Sequence, residues 1–107
     1  MELKIIKTEK PKQKPSGALG FGKYFTDHMF VMNYDDGKWH DARIQPYAPF
    51  TLEPCCSVFH YGQAVFEGTK AYKNKNGEVR LFRPRDNLLR MNESSDRICI
   101  PPIDVDF

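Results

Sequence analysis

The chain has 107 residues, a formal net charge of +2, and 40% hydrophobic, 13% aromatic and 28% charged residues. That balance suits one soluble globular domain and is too nearly neutral to argue for a nucleic-acid partner. No apolar run approaches the ~20 residues that cross a bilayer, no signal-type apolar stretch follows the first residues, and three cysteines (Cys55, Cys56 and Cys99) do not make a disulfide framework. A reducing, cytoplasmic setting without a membrane partner is the expectation.

Residues 1–18 form a lead rich in lysine, proline and serine. Lys4, Lys7, Lys10, Lys12 and Lys14 face only Glu2 and Glu9, and the segment lacks the interleaved aromatics of a nucleic-acid platform, so it reads as a flexible, solvated tail. One short strand fits residues 3–6, and Pro11, Pro15 and Gly17 stop anything regular after it. Gly20 and Gly22 precede a strand instead of opening a helix, which fails the context of a dinucleotide fingerprint.

Residues 25–34 predict a strand, with Met29, Val31 and Asn33 on one face and Phe30, Met32 and Tyr34 on the other. Asp36-Gly37 is a tight-hairpin signal because both positions tolerate positive φ, and residues 39–44 return as the partner strand. Pro46 and Pro49 frame a bend before a short strand over residues 50–52. Pro54 suits a first helical turn. Residues 57–66 then have helical spacing, with Gly68 as the stop.

A second hairpin joins residues 69–73 to 78–82 around Asn74-Lys75-Asn76-Gly77. Asp86 or Asn87 caps a second helix over residues 88–98, in which Leu88, Met91, Ser95 and Ile98 share a face. Pro101-Pro102 ends it. Two antiparallel hairpins, one or two further short strands and two helices make an α+β fold.

Several constellations carry chemistry weakly. Cys56 and His60 share a helical face, the spacing of two metal ligands, but no Cys-x-x-Cys pair exists, and buried thiols with a hydrogen-bonded histidine are the expected case. A cysteine nucleophile needs a placed base, and none is identifiable. Arg90, early in the second helix, is a candidate anion ligand; its bland alternative is a solvated ion pair with Glu93 or Asp86. Tyr61 and Phe66 beside Gly62 and Gly68 are either core or the wall of a pocket.

Three blocks in register decide between these readings: Phe21-Gly22-Lys23-Tyr24-Phe25-Thr26-Asp27-His28-Met29, then Phe59-His60-Tyr61-Gly62-Gln63-Ala64-Val65-Phe66-Glu67-Gly68-Thr69-Lys70-Ala71-Tyr72, then Arg80-Leu81-Phe82-Arg83-Pro84 with Asn87 and Arg90-Met91. Together they resemble the branched-chain amino acid aminotransferases, fold-type-IV enzymes that depend on pyridoxal 5'-phosphate. The resemblance spans residues 19–103. It implies transfer of an amino group between leucine, isoleucine or valine and 2-oxoglutarate, small-molecule amino acid and 2-oxo acid partners, and a homodimeric parent.

By the same resemblance Arg90 binds the cofactor phosphate, while Phe21, Tyr61 and Phe66 line the pocket for the branched side chain. The lysine that forms a Schiff base with the cofactor lies downstream in the family, beyond the matched region, and Lys70 and Lys73 do not take its place. Residues 19–107 are therefore expected to be part of the small N-terminal domain of a longer enzyme, without a catalytic residue of its own, inactive in isolation and prone to self-association. The alternative from another class is a non-catalytic α+β binding or interaction module.

Overall fold

The computed structural model describes residues 1–107. The chain forms two compact units, Met1–Thr51 and Leu52–Phe107. It is a mixed α/β chain with two helices and small sheets, compatible with the expected α+β class.

The first unit is a three-stranded sheet in the order β1-β3-β2, with β1 Lys4–Ile5, β2 His28–Asp35 and β3 Lys38–Pro46. The β2–β3 hairpin forms because Asp36 (φ 46°) and Gly37 (φ 76°) both occupy the left-handed region, whose twist matches that of the flanking strands. Tyr34 and Trp39 face each other across it, ring edge to ring face at 5.0 Å.

The expected alternation on β2 breaks midway. Register shifts between Val31 and Asn33, where β3 carries an extra residue and Asp41 takes φ 52°. That bulge reorders the faces. Met29, Val31 and Met32 are half-buried, whereas Phe30 and Asn33 are exposed.

The lead is tied to this sheet. Lys4 and Ile5 pair in parallel with Arg43 and Ile44, the Thr8 amide donates to His28 Nε2 at 2.9 Å, and the Lys12 amide donates to Asp27 Oδ1 at 3.2 Å. Phe25 stacks on Tyr47, centroids 5.6 Å apart. Residues 48–53 are irregular, so the strand expected at 50–52 does not form. The prolines at 49 and 54 bracket it and leave it no ladder to join.

The second unit holds α1 (Ser57–His60), a hairpin of β4 (Ala71–Lys73) and β5 (Val79–Leu81), and α2 (Pro84–Arg97). The helix expected over 57–66 is only its first turn. Gly62 adopts φ 61° directly after the cap at Tyr61, and the Gln63 side chain donates to the Ile98 carbonyl at 2.8 Å, drawing the chain away. The run of aromatic and β-branched residues has little intrinsic helicity with which to resist. Gly68, expected to stop the helix in the left-handed region, has no positive φ.

The hairpin loop is fastened by Asn74, whose Oδ1 accepts the amides of Asn76 and Glu78, both at 2.9 Å. α2 begins four residues earlier than the spacing suggests. Pro84, with φ already set for a helix, occupies the first position after a left-handed Arg83, so Asp86 and Asn87 lie inside the helix and do not cap it. Its less exposed stripe is Asn87, Leu88, Met91, Asn92 and Ser95, of which only Ser95 is buried; the spacing predicts this face apart from Ile98, which falls just past the helix.

The helix closes with paired bonds, from the Ile100 amide to the Ser95 carbonyl at 2.9 Å and from the Cys99 amide to the Asp96 carbonyl at 3.3 Å. This is the geometry of a Schellman cap with cysteine, at φ 58°, where glycine usually sits.

Candidate functional site

The densest polar arrangement in the second unit joins the segment after α1 to the first half of α2. Its centre is Glu67, the one carboxylate in an apolar and aromatic stretch, with a side chain only 9% exposed. A carboxylate so shielded needs donors, and four reach it. Arg90 Nε donates to Oε2 at 2.8 Å, and Arg90 Nη2 donates to Oε1. Asn87 Nδ2 donates to Oε1 at 3.0 Å, and the Gly68 amide donates to the same oxygen at 3.1 Å. Asn87 Nδ2 also reaches the Gly68 carbonyl at 3.0 Å, which fixes the backbone there.

Helical geometry explains the convergence. Asn87 and Arg90 are three apart on α2 and share a face, and the 67–68 segment lies along it. The Arg90 side chain beside Glu67, reinforced by Asn87, holds the carboxyl down at about 2, and Glu67 in turn raises the Arg90 guanidinium above its ordinary value. Both groups are charged at any working pH.

Two of the five N–H donors of Arg90 go to Glu67. The side chain is nevertheless 64% exposed, so the remaining donors form an edge turned toward solvent. Arg90 is the seventh residue of α2, because the helix starts at Pro84. Dipole effects fade within the first turn, so the guanidinium itself, and not the helix terminus, makes this an anion-competent position. Its ion-pair partner is Glu67, neither Glu93 nor Asp86. Asp86 pairs instead with Arg83 at 2.5 Å.

Beside this cluster Gly68, Thr69, Lys70, Tyr72, Phe82 and Asn87 line an open cavity of about 430 Å³. Tyr61 lines a different one of about 410 Å³ with Gln63, Ile98 and Cys99. Tyr61 and Phe66 are 89% and 87% exposed, and Phe66 lines neither cavity. Phe21 belongs to the first unit and is fully exposed, between Gly20 and Gly22 at positive φ.

The histidines take other partners. His60 Nε2 lies 2.9 Å from the Pro54 carbonyl and His40 Nε2 lies 2.5 Å from Asp35, while His28 accepts the Thr8 amide. No three histidine, cysteine, aspartate or glutamate side chains converge as metal ligands, and all three cysteines are free thiols.

Glu67 and Asn87 are the residues that spacing alone does not single out as a site. The signal for Glu67 was present: a lone carboxylate in an apolar run has to find a cation or several donors. The sequence does not say which arginine answers it.

No protein-family model matches the chain. Individual proteins do. It is 58% identical over 106 residues to branched-chain-amino-acid transaminase 1 of Bacillus subtilis, a match covering 94% of this chain and 30% of that protein. To a probable branched-chain-amino-acid aminotransferase of Staphylococcus epidermidis it is 54% identical over 105 residues, with 96% and 29% covered. The mitochondrial branched-chain-amino-acid aminotransferase of Mus musculus is 47% identical over 106 residues, with 96% and 27% covered. The chain thus spans about 30% of the length of these curated relatives.

Proposed function

We propose that this chain, a homologue of one part of the branched-chain aminotransferases, contributes a substrate wall and a cofactor-phosphate contact to a longer enzyme. That enzyme transfers an amino group between branched-chain L-amino acids (leucine, isoleucine, valine) and 2-oxoglutarate. The reading rests above all on the match, which runs through 94% of the chain at 58% identity.

The donor set fits pyridoxal 5'-phosphate. Arg90 offers a forked, permanently charged edge of the kind that binds phosphate in two-pronged fashion, and its other edge is already occupied by Glu67. When bound, the cofactor supplies the electron sink for bond breaking at the amino acid's α-carbon. The residues of this chain bind and orient. Arg90 holds the phosphate, while the rings of Phe21, in the first unit, and of Tyr61 and Phe66, in the second, offer apolar surface to an aliphatic side chain, with the Tyr61 hydroxyl the one polar group among them. Each methylene is worth about 1–3 kcal/mol in such a pocket, so the wall sets a preference among substrates.

Within this reading residues 19–107 belong to the small domain of a fold-type-IV enzyme that works as a cytoplasmic homodimer. The Schiff-base lysine is supplied by sequence outside these 107 residues. No helix here is long and apolar enough to cross a membrane.

The test is an amino-transfer assay of the full-length protein with pyridoxal phosphate, 2-oxoglutarate and a panel of amino acids. Preference for L-leucine, L-isoleucine and L-valine is expected. Preference for D-alanine or aspartate would overturn the assignment. The isolated 107-residue chain is expected to show no turnover.

A further inference from the structure

We propose that Glu67 is a positioning residue: it sets which edge of the Arg90 guanidinium faces the cofactor phosphate. The inference rests on the reading of Arg90 just given and concerns a residue that reading leaves without a role.

Three observations carry it. Glu67 is shielded although its partner is exposed, 9% against 64%, so the carboxylate is the fixed member of the pair and the arginine the member that reaches outward. The carboxylate is held independently of Arg90, because the Gly68 amide and Asn87 Nδ2 both donate to Oε1. Finally, Glu67 takes Nε and one Nη2 hydrogen, which leaves the Nη1 side as the free edge of a planar, rigid fork. An arginine on an exposed helix face otherwise samples many rotamers, and a ligand must order it on binding. Here the ordering precedes the ligand.

The charge of Glu67 acts in the opposite sense, since it repels a phosphate dianion. The guanidinium lies between the two and is open to solvent, so at physiological salt, where the screening length is about 8 Å, the phosphate meets the cation before the carboxylate behind it. Orientation is therefore expected to outweigh repulsion at that ionic strength.

The experiment compares affinities of the full-length apoprotein for pyridoxal 5'-phosphate and for pyridoxal, which lacks the phosphate, by absorbance titration in 0.15 M salt. Their ratio isolates the phosphate contact from the rest of the site. Arg90→Gln is expected to abolish most of the ratio. Glu67→Ala is expected to lower it about tenfold, the smaller end of what losing a ligand-orienting partner costs in metal sites. The double variant is expected to match Arg90→Gln alone, because Glu67 acts only through the arginine. Should Glu67→Ala not fold, the isosteric Glu67→Gln takes its place, with a smaller loss expected.

A wild-type ratio in the Glu67 variants, with the ratio lost in Arg90→Gln, overturns the positioning role and leaves Arg90 as the phosphate ligand. Equal weakening of both ligands also overturns it, since Glu67 would then be structural only. An unchanged ratio in Arg90→Gln removes the phosphate reading and this inference with it.

Discussion

At the scale of single residues, the decisive contact is between two side chains that the sequence sets 23 positions apart. Glu67 is the only carboxylate in its stretch, and its carboxyl falls from an ordinary 4.5 to about 2 through its bonds with Arg90 and Asn87. Because the folded value lies below the unfolded one, the pair stabilises the unit fully above about pH 4.5. That contribution is lost as pH falls toward about 2. A Glu67→Gln variant is thus expected to equal wild type in stability near pH 2 and to fall below it progressively between pH 2 and 5. Acid titration of the two proteins by circular dichroism checks this, and a gap that widens toward low pH would contradict it. Arg90 shows how far one-dimensional reading reaches. Its candidacy as an anion ligand was legible from residue type and motif register. Its partner was not, because ion pairing depends on which segment comes to lie along α2, and the helical spacing of residues 57–66 pointed to another path.

At the scale of elements, the hairpins were legible and the helix ends were not. Asp36-Gly37 and the Asn74–Gly77 loop carry turn chemistry that only a few residue types can supply, so their positions survive in the structure. α1 fails because spacing reports amphipathicity, whereas persistence needs helix formers. One glycine at φ 61° is enough to end it. The start of α2 was misplaced because aspartate and asparagine look like caps wherever they occur, while Pro84 sets the actual first turn. Its other end yields a prediction. Cys99 occupies the left-handed position of a Schellman cap at φ 58°, where a side chain costs roughly 1–2 kcal/mol relative to glycine. Part of that is returned by glycine's greater freedom when unfolded, about 0.5–1 kcal/mol. Cys99→Gly is therefore expected to stabilise the second unit by about 0.5–1 kcal/mol and to slow amide exchange at Ile98 and Ile100. Faster exchange there would show that the thiol is needed for packing.

At the scale of the whole molecule, burial is the governing quantity. Ala42 is the single buried hydrophobic residue, and no large side chain is fully enclosed. The accessible surface is 9593 Å², whereas a folded monomer of 12.5 kDa exposes about 6,200 Å², and even two independent units of half that mass would expose about 7,400 Å². The difference, at least about 2,000 Å², matches the area that obligate interfaces cover. Much of it is apolar, including Phe21 and Phe50 in the first unit and Phe59, Tyr61, Phe66, Val79 and Phe82 in the second, and apolar exposure on that scale drives association. The relatives, of which this chain spans about 30%, have ample further sequence with which to cover such surface. By itself the 107-residue chain is expected to self-associate, to bind apolar dyes and to melt without a sharp cooperative transition. Sedimentation velocity over a range of concentrations, with a thermal melt on the same sample, reads all of this. A concentration-independent compact monomer with a sharp melt would mean that these 107 residues rearrange to bury their aromatics internally, and Tyr61 and Phe66 would then be core residues and not a substrate wall.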